Sequence, residues 1–273
     1  MSAVTGTPTR ERPIQPAAGS FLGRHEFAYR LQHYRRTWRG TVVISVLNPL
    51  LFLVAIGVGL GHVVSHPASL DGVSYLSFFA PGMLAAAAMQ NGIVESGFPV
   101  SHAVGPGGGY RVAITTPLES TDILVGHLLF MAMRIAMSAA AFVVVMVVLG
   151  AAESPLVILT VPAATLTGLA FATPTAAFAA TVSSPRVVGG LFKWVVMPLY
   201  LFSGTFFPVT QLPAALRALA YATPLWHGVD LCRTLSLGTA TWSRCAMHVG
   251  YLSAVVAVGV VVAQRTYRRR LYG

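Results

Sequence analysis

One lysine, Lys193, occurs in 273 residues, and only eight side chains are acidic. An ATP-binding P-loop needs backbone amides that cradle phosphates and a lysine that reaches them, in the pattern G-x-x-x-x-G-K-[ST]. Lys193 stands in Gly190-Leu191-Phe192-Lys193-Trp194, which is not that pattern, so no ATP-hydrolysing motif is present. Gly105-Pro106-Gly107-Gly108-Gly109 shares only the glycines of such a loop and reads as a hinge. Two cysteines, Cys232 and Cys245, are too few for a disulfide framework and leave a single bridge near the outer face open. Neither H-E-x-x-H nor G-x-S-x-G occurs, which excludes those zinc-protease and serine-nucleophile chemistries. Of eight histidines, His62 and His66 are four apart but sit in a loop beside Pro67, where a metal site is not expected. The first 40 residues are polar and rich in Pro and Arg, so no signal peptide is expected.

Charge of any kind is scarce, at 10% of residues against about 25% in soluble domains. Hydrophobic residues make up 55% and the mean hydropathy is +0.70. Crossing a hydrocarbon core takes about 20 apolar helical residues, and backbone polar groups must be satisfied within the span. The apolar runs are continuous rather than alternating, so helices are expected and a barrel is excluded. The net charge of +10 does not indicate nucleic acid, because the basic residues collect at the two ends of the chain. Seven arginines precede residue 40, and Arg265, Arg268, Arg269 and Arg270 follow the last apolar run. That asymmetry is the positive-inside bias with both termini cytoplasmic, the basic ends lying against anionic lipid.

Residues 1–19 read as a disordered cytoplasmic tail. In residues 20–39, Phe21, Leu22, Phe27, Leu31, Tyr34 and Trp38 recur at helical spacing among Arg24, Arg30, Arg35, Arg36 and Arg39. They predict an amphipathic helix in the inner interface, or else a cytosolic extension of the first span. A six-span domain over 41–263 is expected, followed by a basic cytoplasmic tail, 264–273. Its spans are placed at 41–64, 74–98 (kinked at Pro81-Gly82), 122–150, 155–182, 187–207 and 245–263. The intervening 208–244, punctuated by Pro208, Pro213 and Pro224, is too polar to cross and predicts short re-entrant or interfacial helices outside.

Arg134 is the one charge well inside a span, about 18 Å along the helix and near the midplane. Such a residue lines a path or an interface, or else snorkels or bonds to neighbouring helices. Glu95 is its obvious partner by charge. With the second span ending at 98, however, the two would differ in depth by more than about 10 Å.

Three stretches carry a resemblance. Tyr75-Leu76-Ser77-Phe78-Phe79-Ala80-Pro81-Gly82 opens the second span. Tyr110-Arg111 precedes Thr116-Pro117-Leu118, Asp122-Ile123 and Gly126. Ser203-Gly204-Thr205-Phe206-Phe207-Pro208 is followed by Leu212-Pro213 and Thr223-Pro224-Leu225-Trp226-His227. Together, over residues 20–265, the chain resembles the permease subunit of type-2 ATP-binding-cassette exporters, in the branch of nodulation-factor and daunorubicin-type drug exporters. Where that family often has an acid after the glycine at 126, this chain has His127.

The resemblance implies an all-α permease in the plasma membrane, pairing with a second copy or a homologue. It would export a drug, lipid or lipid-linked oligosaccharide. ATP and Mg would be bound by a separate ATPase subunit, with no cofactor in this chain. Residues 20–39 would lie beside that ATPase. Residues 99–121 would hold the coupling helix, with Arg111, Glu119 and Asp122 as docking charges, although an ordinary solvated loop explains these as well. Arg134 and Glu95 would belong to the path or a subunit interface. Ser203, Gly204, Phe206, Phe207, Pro208 and Pro224 would belong to the outer re-entrant hairpin. The competing class is an ATP-independent channel or secondary carrier, which would be expected to show paired intramembrane carboxylates.

Overall fold

A computed structural model describes residues 23–42, 47, 51, 53–58, 73–105, 107–116, 118–182 and 185–272. Among them there is no strand. The helices are α1 (Gly23–Val42), α2 (Tyr75–Val104), α3 (Gly109–Ala113), α4 (Ser120–Val148), α5 (Thr160–Thr181) and α6 (Pro185–Leu191), followed by α7 (Met197–Phe202), α8 (Ala214–Tyr221), α9 (Pro224–Leu237) and α10 (Trp242–Tyr272). The tail 1–19 and the His62/His66 loop lie outside the described residues, as does most of the expected first span. Only the π-helical turn Leu53–Val58 and isolated positions of that span are described.

Three described helical segments are long and apolar enough to cross a membrane: Ser120–Val148, Pro155–Thr181 and Trp242–Tyr272, with mean hydropathies of 2.2, 1.8 and 2.0. The helix α2 is 30 residues long and stays helical through Pro81 and Pro99. It ends at Val104 rather than near residue 98, which adds about 9 Å of helix at its C-terminal end. Within the expected fifth span the chain is helical without a gap from Pro185 to Phe202. Between α6 and α7 lies the π-helical turn Phe192–Val196, which contains Lys193. Pro198, within the first turn of α7, has no N–H for a carbonyl one turn back, and a widened turn accommodates that loss. The helix α10 continues through the basic residues after 264 to Tyr272.

The helices pack through small residues. The helix α2 crosses α5 so closely that a Cβ on Gly92 would stand 2.2 Å from the carbonyl oxygen of Gly168. Close backbone approach of this kind drives helix association where lipid removes the hydrophobic incentive. Two apolar clusters result. The larger joins α2, α4, α5, α9 and α10 through Phe79, Leu84, Met89, Ile135, Phe142, Leu225 and Leu252. The smaller lies at the opposite end, where Val104, Tyr110, Ile123, Leu124, Tyr267 and Leu271 close around the alanines of α5.

Candidate functional site: a polar node beneath the bundle

The smaller cluster encloses a chain of polar contacts that crosses four helices. Arg30 on α1 donates from Nε to Glu26 Oε1 at 2.8 Å, and from Nη2 to the Tyr110 hydroxyl on α3 at 2.8 Å. That hydroxyl also lies 2.8 Å from His127 Nδ1 on α4. The ring of Tyr267, near the end of α10, sits 5.6 Å from that of Tyr110. The helices α1, α3, α4 and α10 therefore meet at one phenol. Burial pushes the Tyr110 hydroxyl above its ordinary range, so it remains a neutral hydrogen-bonding group.

Local sequence explains the convergence. Glu26 and Arg30 are one helical turn apart, which places both on one face of α1. Gly126 lets that face reach α4, since a Cβ there would meet the Gly23 carbonyl oxygen at 2.5 Å and the Glu26 side chain at 2.7 Å. His127 is thereby buried, occupying the position where an acid was expected from the resemblance. Arg30 is accordingly not a headgroup arginine, because its side chain is 16% exposed and faces into the protein.

Above the node, Arg134 pairs with Glu95. The depth mismatch expected from the sequence is overturned, because the longer α2 leaves Glu95 well inside the helix rather than at its end. The guanidinium also lies 5.1 Å from the centre of the Tyr34 ring and 6.0 Å from that of Phe130. Both ion pairs line one cavity of about 820 Å³, walled by Tyr29, Tyr34, Tyr110 and Phe130.

The docking charges take different places. Arg111 belongs to α3, but its side chain lies outside the described residues. Glu119 and Asp122 form a capping box at the start of α4, the Glu119 N–H donating to Asp122 Oδ2 at 3.2 Å. Their local work is to satisfy amides of the first turn.

At the far end, Gly204 sits at φ +83°, and Ser203 Oγ is 2.9 Å from Thr205 Oγ1. Phe206 packs on Phe79 and edge-on to Tyr200. Phe207 follows in the same bend, Pro208 precedes a short 3-10 turn, and Pro224 opens α9 behind its cap Thr223. Arg233 on α9 is buried against this bend rather than free in a loop. It donates from Nε to the Phe78 carbonyl at 3.1 Å and from Nη2 to the Gly204 carbonyl at 2.8 Å. Cys232 and Cys245 are both free. Among the described residues no group of three or more His, Cys, Asp or Glu is placed to hold a metal.

Long apolar helices that enclose buried charge pairs define a helical membrane protein. The family model described as "ABC-2 type transporter" matches residues 27–236, and the chain belongs to that family as a permease component. It is similar to nodulation protein J of Rhizobium leguminosarum bv. viciae, at 30% identity over 240 residues, covering 86% of this chain and 90% of that protein. Nodulation protein J of Rhizobium leguminosarum bv. trifolii is 31% identical, and that of Rhizobium meliloti (strain 1021) 30% identical. Each match spans 240 residues, 86% of this chain and 89% of the relative.

Proposed function

We propose that this chain is the gate of an exporter driven by a separate ATPase subunit, moving an amphipathic drug, lipid or lipo-oligosaccharide outward across the plasma membrane. Six spans put both termini in the cytoplasm, with α8 and α9 as an outer re-entrant hairpin and a second permease copy completing the path. ATP and Mg are held by the ATPase, which docks below α1 and α3. The observation that carries this reading is the contact of Arg30 and His127 with one Tyr110 hydroxyl. A push on α3 or α1 is delivered directly to α4, and through the packed Tyr267 to α10.

Co-expression with a candidate ABC ATPase subunit tests the reading. The two should copurify, and export into inverted vesicles should stop on ATP depletion. Export that survives depletion would instead establish a channel or secondary carrier. Within an assembled complex, Arg111→Glu should lower substrate-stimulated ATPase activity without affecting insertion, and unchanged activity would remove Arg111 from the docking face.

A further inference from the structure

A second polar cluster lies at the opposite end of the bundle, between α9 and α10. His227 Nδ1 on α9 stands 2.8 Å from His248 Nδ1 on α10. His248 Nε2 is 2.9 Å from Asp230 Oδ2, and Arg244 Nη2 is 3.0 Å from that same oxygen. His227 also stacks on Tyr251, 3.9 Å between ring centres, and the Tyr251 hydroxyl donates to the Ala222 carbonyl at 2.6 Å. The first two residues, 21 apart in sequence, have no ligand-like spacing, which is why a sequence search passes over them.

Two Nδ1 atoms at hydrogen-bonding distance hold one proton between them, because one ring must accept through its lone pair. His248 Nε2 is turned to the ionised Asp230, and the Tyr221 carbonyl takes the other N–H of His227. A further proton on the pair therefore goes to an Nδ1, sets two N–H groups head to head and converts the bond into a repulsion. We infer that His227 and His248 form a proton-binding latch that ties the hairpin helix α9 to the last span and releases it when His227 takes up a second proton from solvent. In the proposed topology this end faces outside the cell, so external acid loosens the outer hairpin.

The charged neighbours fit a latch that is closed at neutral pH. On α9 these are Asp230 and Arg233, and on α10 Arg244; the side chain of α5 that packs on Gly228 is the uncharged Thr167. Burial alone would raise the Asp230 carboxyl, but His248, Arg244 and Arg233 together hold it below the usual carboxylate value, so it stays ionised. Burial first, and then neighbouring His248, hold the His227 imidazole below its ordinary 6.5, against the opposing pull of the Tyr221 carbonyl and Asp230. A depressed histidine pKa favours the closed state above the ordinary value. That preference is lost as pH falls from about 6.5 through the lowered pKa of His227.

Trp226 offers a direct reporter, its ring lying 4.9 Å from His227 and 5.4 Å from His248. The full-length protein carrying Trp38→Phe, Trp194→Phe and Trp242→Phe, in lipid nanodiscs, is titrated between about pH 8 and 4.5, spanning the ordinary histidine range. Its emission is expected to be quenched with a midpoint below 6.5, while amide exchange over residues 224–237 rises in parallel. His227→Gln should abolish both responses. If that variant does not fold, His248→Asn serves the same purpose. Quenching that persists in the variant overturns the assignment of the proton to this pair. Quenching without faster exchange overturns the latch, since protonation would then leave α9 in place.

Discussion

Tyr110 and His127, 17 residues apart, share a buried contact of 2.8 Å that ties the short helix α3 to the N-terminal part of α4. The hydroxyl is also the acceptor for Arg30, so one oxygen serves a cation from α1 and an imidazole from α4. Under the proposed coupling to an ATPase subunit, this node is where a push on α3 would first be felt.

Tyr110→Phe should therefore uncouple more than it unfolds. It leaves Arg30 and His127 with one partner fewer in a buried site, a loss of about 1–3 kcal/mol. Thermal unfolding should shift down by a few degrees, about 2–4 °C per kcal/mol for a chain of this size. In a complex with the ATPase, hydrolysis should persist while export per ATP falls. A variant that exports normally would remove the node from the mechanism.

Arg134→Leu strands Glu95 inside the bundle. Breaking a buried pair from one side costs about 3–5 kcal/mol, whereas replacing both partners with apolar residues is near neutral. The single variant should thus be poorly stable, and Arg134→Leu with Glu95→Leu should recover stability. Export by the double variant then reads the functional share of the pair. Normal export assigns the pair to packing, and lost export with restored stability assigns it to the path.

Gly126→Leu should lift α1 from α4, because even a Cβ at 126 would stand 2.5 Å from the Gly23 carbonyl oxygen. Protease cleavage within 23–42 should accelerate in inverted vesicles, while the spans remain protected. Unchanged cleavage would mean that α1 is held by other contacts.

Glu119→Ala separates capping from docking. Loss of the cap should cost about 1 kcal/mol and speed amide exchange at Ile123 and Leu124. Glu119→Gln keeps an accepting oxygen and removes the charge, so it should retain most of the protection. If ATPase stimulation drops in both variants alike, the charge rather than the cap matters.

Arg233→Leu leaves the Phe78 and Gly204 carbonyls without their guanidinium donors. Exchange should rise over 203–207, and the bend at Gly204 should loosen. Arg233→Lys should recover only part of the protection, since an ammonium lacks the planar fork that reaches both oxygens.

The sequence by itself determined the helical membrane class, the absence of an ATP site and the asymmetric basic ends. Each follows from the length of apolar runs, the placement of arginines or a motif that does not occur, and none depends on which helices are neighbours. It also carried the family, through stretches such as Ser203–Pro208 that must turn and cap in a particular way. Only the tertiary structure decided the polar contacts. Arg134 and Glu95 meet because α2 runs on to Val104, and a shift of six residues at a helix end is invisible to hydropathy. Arg30 turns inward because Gly126 admits α1, and Arg233 reaches two carbonyls that are distant in sequence. His227 and His248 come together across two helices, where no local spacing signals it. Apolar burial is read one residue at a time, but a buried charge or imidazole needs a partner from another helix, and that partner is chosen only when the helices pack.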